Sequence, residues 1–80
     1  MEYRLCIDPD AAVLYSAAGS VVSWKVKTQF FRGKRQAALL SESGSTLLFS
    51  SVDMLKKLLT HRFPFLTDDN LKIELTGDFL

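Results

Sequence analysis

The chain has 80 residues, of which 48% are hydrophobic and 24% are charged, and its formal net charge at pH 7 is +1. This length corresponds to one domain over residues 1–80, and the apolar content and small net charge exclude an intrinsically disordered chain. The single cysteine, Cys6, and the single histidine, His61, exclude an internal disulfide and a zinc site built from cysteine and histidine. Because no signal-peptide pattern opens the chain and no apolar run approaches the roughly 18 residues of a membrane span, we expect a cytoplasmic protein.

The first element in chain order is a half-buried strand over residues 2–8. Tyr3, Leu5 and Ile7 alternate with polar residues in this segment, so they fall on one face of the strand. The sequence leaves open whether this strand pairs with the strands in the middle of the chain or with a strand near the C-terminus.

The segment 9–18 has two interpretations. Asp8 is a residue type that caps helices, Pro9 suits the first helical position, and Gly19 can end a helix, which together favour a helix. A helix of about ten residues is marginal on its own. The alternative is a turn at Pro9 followed by a strand over residues 12–16.

Three strands follow as an antiparallel meander. Residues 21–31 alternate between apolar and polar side chains and are rich in β-branched and aromatic residues, which predicts a strand. The return strand covers residues 35–42, and a third strand covers residues 45–49. Glycines in the intervening segments predict tight turns at 32–34 and 43–44. The apolar face of the strand over residues 21–31 contains Val22, Trp24, Val26, Thr28 and Phe30.

A helix over residues 51–62 and a last strand over residues 71–76 complete the sequence. Ser50 as the N-cap, with Asp53 three residues later, resembles a capping box, and Pro64 requires the helix to end before it. The order β-(α)-βββ-α-β predicts an α+β fold in which a small, mostly antiparallel sheet has one or two helices packed on one face.

We find no set of residues typical of catalysis, so we expect a non-enzymatic protein with no catalytic residues, no metal site and no cofactor. His61 lies late in the predicted helix and has no nearby nucleophile and orienting group. Cys6 is interpreted as a small packed residue. The sequence Asp68-Asp69-Asn70 lacks the spacing of a calcium loop, so we interpret it as a turn held by local hydrogen bonds.

The strongest candidate for a functional surface is the basic hairpin in the middle of the chain. No acidic residue lies between positions 25 and 35, and the aromatic residue Trp24 borders the segment. Such a hairpin could follow a phosphate backbone, bind an acidic protein surface, or simply present a solvated face whose lysines protect an edge strand. The candidate partner-binding residues are Lys25, Lys27, Phe31, Arg32, Lys34 and Arg35.

The last residues raise the alternative of self-association. Phe79 and Leu80 are apolar at a chain end, where polar residues are usual. They either pack on the core or contact a second chain, so a homodimer or a subunit of a larger assembly is an alternative.

Residues 35–63 resemble a segment of small plasmid partition-accessory proteins, in which a strand, a glycine turn, a second strand and a leucine-rich helix follow one another. The matching residues are Leu39, Gly44, Phe49, Ser51, Asp53, Leu55 and Leu59. In size and style the whole chain is similar to phage-encoded inhibitors such as anti-CRISPR proteins. The second resemblance implies a protein of a mobile genetic element that binds and occludes a host protein or nucleoprotein. The first implies a small DNA- or RNA-binding accessory protein.

Overall fold

Residues 1–77, which are those described by the computed structural model, form one six-stranded sheet and one helix. The strands lie in the order β5-β4-β3-β2-β1-β6, and all neighbours are antiparallel except β1 and β6, which are parallel. The α+β class and the mostly antiparallel sheet are therefore confirmed. The elements are β1 (Tyr3–Ile7), β2 (Ala11–Ser16), β3 (Gly19–Phe31), β4 (Lys34–Leu40), β5 (Thr46–Phe49), α1 (Val52–Arg62) and β6 (Leu71–Leu75).

The favoured prediction of a helix over residues 9–18 was wrong, and the alternative of a turn at Pro9 followed by a strand is confirmed. The Asp8 carboxylate accepts hydrogen bonds from the backbone N–H groups of Asp10 and Ala11, both at 2.8 Å, and so closes a tight turn instead of capping a helix. β2 then pairs with β1 on one side and β3 on the other. Pairing on both sides supplies the hydrogen bonds and the burial, complete at Leu14, whereas a helix of about ten residues is marginal on its own.

The helix α1 covers one face of the sheet and contacts the strands at its two edges, β5 and β6. Its residues Leu55 and Leu59 are fully buried, and they pack in one core with apolar side chains from the sheet. The opposite face, called the open face below, is not covered by any helix among the described residues. The core residues are Leu5, Ile7, Ala12, Leu14, Trp24, Ala37, Leu39, Phe49, Leu55, Leu59, Leu66 and Leu71.

The helix α1 begins one residue later than predicted and ends where predicted. Ser51, not Ser50, is the N-cap, and its hydroxyl accepts a hydrogen bond from the Met54 N–H at 3.2 Å. The capping box expected from Ser50 and Asp53 was therefore wrong. Phe63 is extended directly before Pro64, which confirms the predicted end of the helix.

The last strand was predicted correctly. Its position shows which strands pair with β1, a point that the sequence left open. β6 pairs in parallel with β1, so the first and last strands are neighbours, and β1 also pairs with β2. The apolar tail residues Phe79 and Leu80 lie outside the described residues.

Candidate functional site

The end of the β3–β4 hairpin extends beyond the rest of the sheet. β2 accompanies β3 only as far as the pair Ala11–Lys25, and β5 accompanies β4 only from the pair Phe49–Ala37. Within residues 1–77, the strand residues 27–31 and 34–36 therefore have a strand neighbour on one side only. We call residues 27–36 the hairpin arm. It forms because β3, at 13 residues, is about twice as long as its neighbour β2, at 6 residues.

A two-residue turn closes the arm. Phe31 pairs with Lys34, and the two residues between them have positive φ angles, 53° for Arg32 and 78° for Gly33. Positive φ at both positions is the geometry of a type I′ turn, which matches the twist of the two strands. Gly33 adopts this conformation without strain, whereas Arg32 is a residue type that rarely does.

The candidate residues are divided between the two faces of the arm. Residues directly opposite one another in an antiparallel pair lie on the same face, so Lys34 lies beside Phe31. Lys25 and Lys27 share this face, which belongs to the open face of the sheet, so their predicted common orientation is confirmed. Arg35 is opposite Phe30 on the other face. The basic hairpin predicted from the sequence therefore presents cations on both of its faces, and the two faces meet at the turn.

Each face of the arm has an exposed aromatic ring with an arginine over it. Phe30 is 72% exposed and Phe31 is 55% exposed. The central guanidinium carbon of Arg35 lies 5.6 Å from the centre of the Phe30 ring, and that of Arg32 lies 5.3 Å from the centre of the Phe31 ring. These are cation–π distances, and at exposed positions each contact contributes about 0.5–1 kcal/mol.

The positive charge of the arm is not neutralised by neighbouring residues of its own chain. The sequence contains no aspartate or glutamate between Lys25 and Ser41. Within the part of the chain that the structure describes, neither the four cations of the arm nor Lys25 beside it forms an ion pair with a carboxylate. Their positive potential is therefore directed towards solvent, where an anionic partner would meet it.

Trp24 and Phe30 share the apolar face of β3, as their alternation predicts, but only Trp24 is buried. Trp24 does not lie among the basic side chains. It is 95% buried on the helix side of the sheet, where its ring meets that of Phe63 edge-on at 6.1 Å. Phe30 lies beyond the core because the hairpin arm extends past the ends of the neighbouring strands β2 and β5. The signal that could have revealed it is the difference in length between the predicted strands.

The other residues considered in the sequence lie on separate elements, with Cys6 in β1, His61 in α1 and Asn70 in the loop before β6. His61 is exposed in the last turn of α1. The Cys6 sulfur lies 3.8 Å from a carboxylate oxygen of Glu74. Asn70 holds its loop by accepting a hydrogen bond from the Thr67 N–H at 2.7 Å and donating one to the Phe65 carbonyl at 3.0 Å.

Among residues 1–77, no group of three or more histidine, cysteine, aspartate or glutamate residues could hold a metal ion. In the same range no helix is long and apolar enough to cross a membrane.

A shallow groove of about 730 Å³ lies at the other end of the sheet, lined among others by Arg4, Tyr15, Lys72 and Glu74. Its lining carries charges of both signs and therefore favours no one class of ligand. The hairpin arm has the more selective chemistry, with positive charge and aromatic rings together. No protein-family model, no curated protein and no solved structure matches this chain.

Proposed function

We propose that this chain is a non-enzymatic binding protein of a mobile genetic element, and that it acts by forming a one-to-one complex with a host protein or nucleoprotein. The hairpin arm is the part that enters and occludes an anionic site on the partner. The similarity in size and style to phage-encoded inhibitors supports the assignment to a mobile element. The presence of a single histidine and a single cysteine, on different elements, supports a function without catalysis.

The observation that carries the proposal is the presence of a cation and an exposed ring on both faces of the arm. A surface that binds a flat partner needs its contacts on one face only. Phe30 with Arg35 and Phe31 with Lys34 give contacts on two opposite faces. This arrangement suits a ribbon that inserts into a cleft and touches both of its walls.

The dimensions of the arm fit insertion. Its longer strand, residues 27–31, spans about 17 Å at about 3.4 Å per residue. The molecule as a whole is elongated, with extents of 38, 25 and 21 Å. Phenylalanine and arginine are both enriched in protein interfaces, and the surrounding lysines would accelerate association with an acidic surface.

The test is affinity capture from a lysate of the host, with the full chain as bait. We expect the double variant Lys27→Glu/Lys34→Glu to lose a partner that the unaltered chain retains. The matched control is Lys56→Glu/Lys57→Glu on α1, which changes the net charge equally and should retain that partner. Light scattering of the purified complex should give one copy of each component. Equal capture by both double variants would overturn the proposal.

A second candidate function is binding of single-stranded DNA or RNA, and a specific observation favours it. Phe31, Lys27 and Lys34 share the open face, with Lys34 directly opposite the ring, so the ring can stack on a base while the cations contact phosphates along the strand. The logarithm of the association constant would then fall with the logarithm of salt concentration, by about 0.7 for each phosphate contacted. No retardation of oligonucleotides in a gel at low ionic strength would exclude it.

A further inference from the structure

Among residues 1–77, no strand uses the backbone hydrogen-bonding groups along one edge of the hairpin arm. The Val26 N–H donates to the Asp10 carbonyl at 3.1 Å, so Val26 directs its backbone groups away from β4 and towards the β2 side. In a strand, residues two apart direct their N–H and C=O groups to the same edge. Thr28 and Phe30 therefore present their backbone groups to this edge, beyond the point where β2 begins.

The turn between β1 and β2 determines where this open edge begins. The Asp8 N–H donates to the Ala11 carbonyl at 2.9 Å, and the Asp8 carboxylate holds the N–H groups of Asp10 and Ala11. The chain turns away from β3 at Pro9, so no residue of β2 reaches Thr28. The open edge is thus a continuation of the place that β2 occupies along the first half of β3.

We propose that this edge binds an extended acidic segment of the partner, which adds to the sheet as a strand in line with β2. This inference rests on the proposed function and specifies how the arm would hold its partner. The backbone groups of Thr28 and Phe30 would supply the hydrogen bonds of the added strand. Side chains of that strand would lie beside Lys27 and Phe31 on one face and beside Phe30 on the other.

Charge determines which strand can occupy the edge. Lysines on an edge strand prevent pairing with a second copy of the same strand, because like charges would then face one another. The same lysines favour a strand that carries glutamate or aspartate. Lys25 and Lys27 lie on one face beside this edge, and the arm contains no carboxylate to compete with an incoming acidic side chain. The occupant that the charges select is an acidic segment from another protein.

The experiment uses the full chain and a short synthetic peptide of alternating glutamate and valine, labelled with fluorescein for anisotropy. The decisive variant is Thr28→Pro, which removes the N–H that points to the open edge and leaves the hydrogen bonds between β3 and β4 in place. Its control, Thr28→Val, retains that N–H. We expect Thr28→Pro to bind the peptide about tenfold more weakly, and Thr28→Val to bind it as the unaltered chain does.

A second measurement supports or contradicts the proposal even if Thr28→Pro fails to fold. Amide hydrogen exchange of the unaltered chain should slow at Thr28 and Phe30 when the peptide is added, and should not slow at Val26, whose N–H is already bonded. Unchanged exchange at both residues would overturn the added strand.

The remaining outcomes separate this inference from the proposed function. If Lys27→Glu abolishes peptide binding while Thr28→Pro does not, the arm binds acidic ligands through its face, so the added strand is wrong and the proposed function stands. If neither variant affects the peptide or the captured partner, both the added strand and the proposed function are wrong.

Two further results would identify a different occupant of the edge. Oligothymidine binding in place of peptide binding would indicate a nucleic-acid ligand. A dimer that forms without peptide and is lost in Thr28→Pro would show that a second copy occupies the edge. Each of these last two results contradicts the inference.

Discussion

The Arg35 guanidinium lies over the ring of Phe30, with its central carbon 5.6 Å from the ring centre, although the two residues are on different strands. This contact covers one side of a ring that remains 72% exposed. The arm therefore keeps a large apolar side chain in water with only an exposed cation–π contact to hold it. Such a residue contributes little to the free energy of folding. Its exposed position therefore fits the binding role proposed above.

The first prediction separates the two roles of Phe30. Replacing it by serine should lower the free energy of unfolding by about 1 kcal/mol or less, because little buried area and one exposed cation–π contact are lost. The control is Leu39→Ala in the adjacent β4, where a fully buried side chain is removed and the cost should be about 2–5 kcal/mol. Urea unfolding measures both. A cost for Phe30→Ser similar to that of Leu39→Ala would mean that the ring belongs to the core.

The second prediction concerns the turn at the end of the arm. Arg32 has a φ of 53°, a conformation in which asparagine is several-fold enriched relative to most other residues. Arg32→Asn should therefore raise the free energy of unfolding by about 0.5 kcal/mol. Gly33→Ala should lower it by about 1 kcal/mol, because alanine is strained at a φ of 78°.

Urea midpoints provide the measurement for the turn, with Lys34→Asn as the control. Lys34 lies in a strand, where asparagine has no conformational advantage, so that variant should give no gain in stability. A loss of stability in Arg32→Asn would show that the guanidinium over Phe31 matters more than the backbone strain.

The strand pattern was readable from the sequence wherever a strand is half buried. Tyr3, Leu5 and Ile7 share one face of β1, and the residues that share the face of Trp24 in β3 were also predicted correctly. Alternation identifies which residues share a face, but it does not indicate whether anything covers that face. Phe30 shares the face of Trp24 and is exposed because the strands beside β3 end before it.

Residues 9–18 show why local propensity was insufficient. The alanines and the cap-forming Asp8 are equally compatible with a helix and with a tight turn followed by a strand. The decision depends on pairing with β1 and β3, which are separate segments of the chain. The same holds for the two faces of the arm. Lys34 and Arg35 are consecutive in β4 and lie on opposite faces, but the two-residue turn decides that Lys34, and not Arg35, shares the face of Phe31.

The third prediction tests the start of α1. The Ser51 hydroxyl accepts the Met54 N–H, so Ser51→Ala should lower the free energy of unfolding by about 1 kcal/mol. Ser50→Ala is the matched control, since Ser50 caps no backbone group in the structure and its hydroxyl lies only near the Met54 sulfur, at 3.9 Å. Urea unfolding of the two variants compares the caps directly. A larger loss in Ser50→Ala would restore the cap that the sequence suggested.

The last prediction concerns how the arm associates with a partner recovered by capture. Charges act at a distance and steer the encounter, whereas rings act after contact by holding the complex together. Lys27→Glu should therefore mainly lower the association rate constant, and Phe31→Ser should mainly raise the dissociation rate constant. The effect of Lys27→Glu should shrink as salt is raised, because the screening length falls from about 10 Å at 0.1 M to about 3 Å at 1 M. Surface plasmon resonance over a salt series measures both constants. If Phe31→Ser changes only the association rate, the ring is not an anchor, and the arm binds by charge alone.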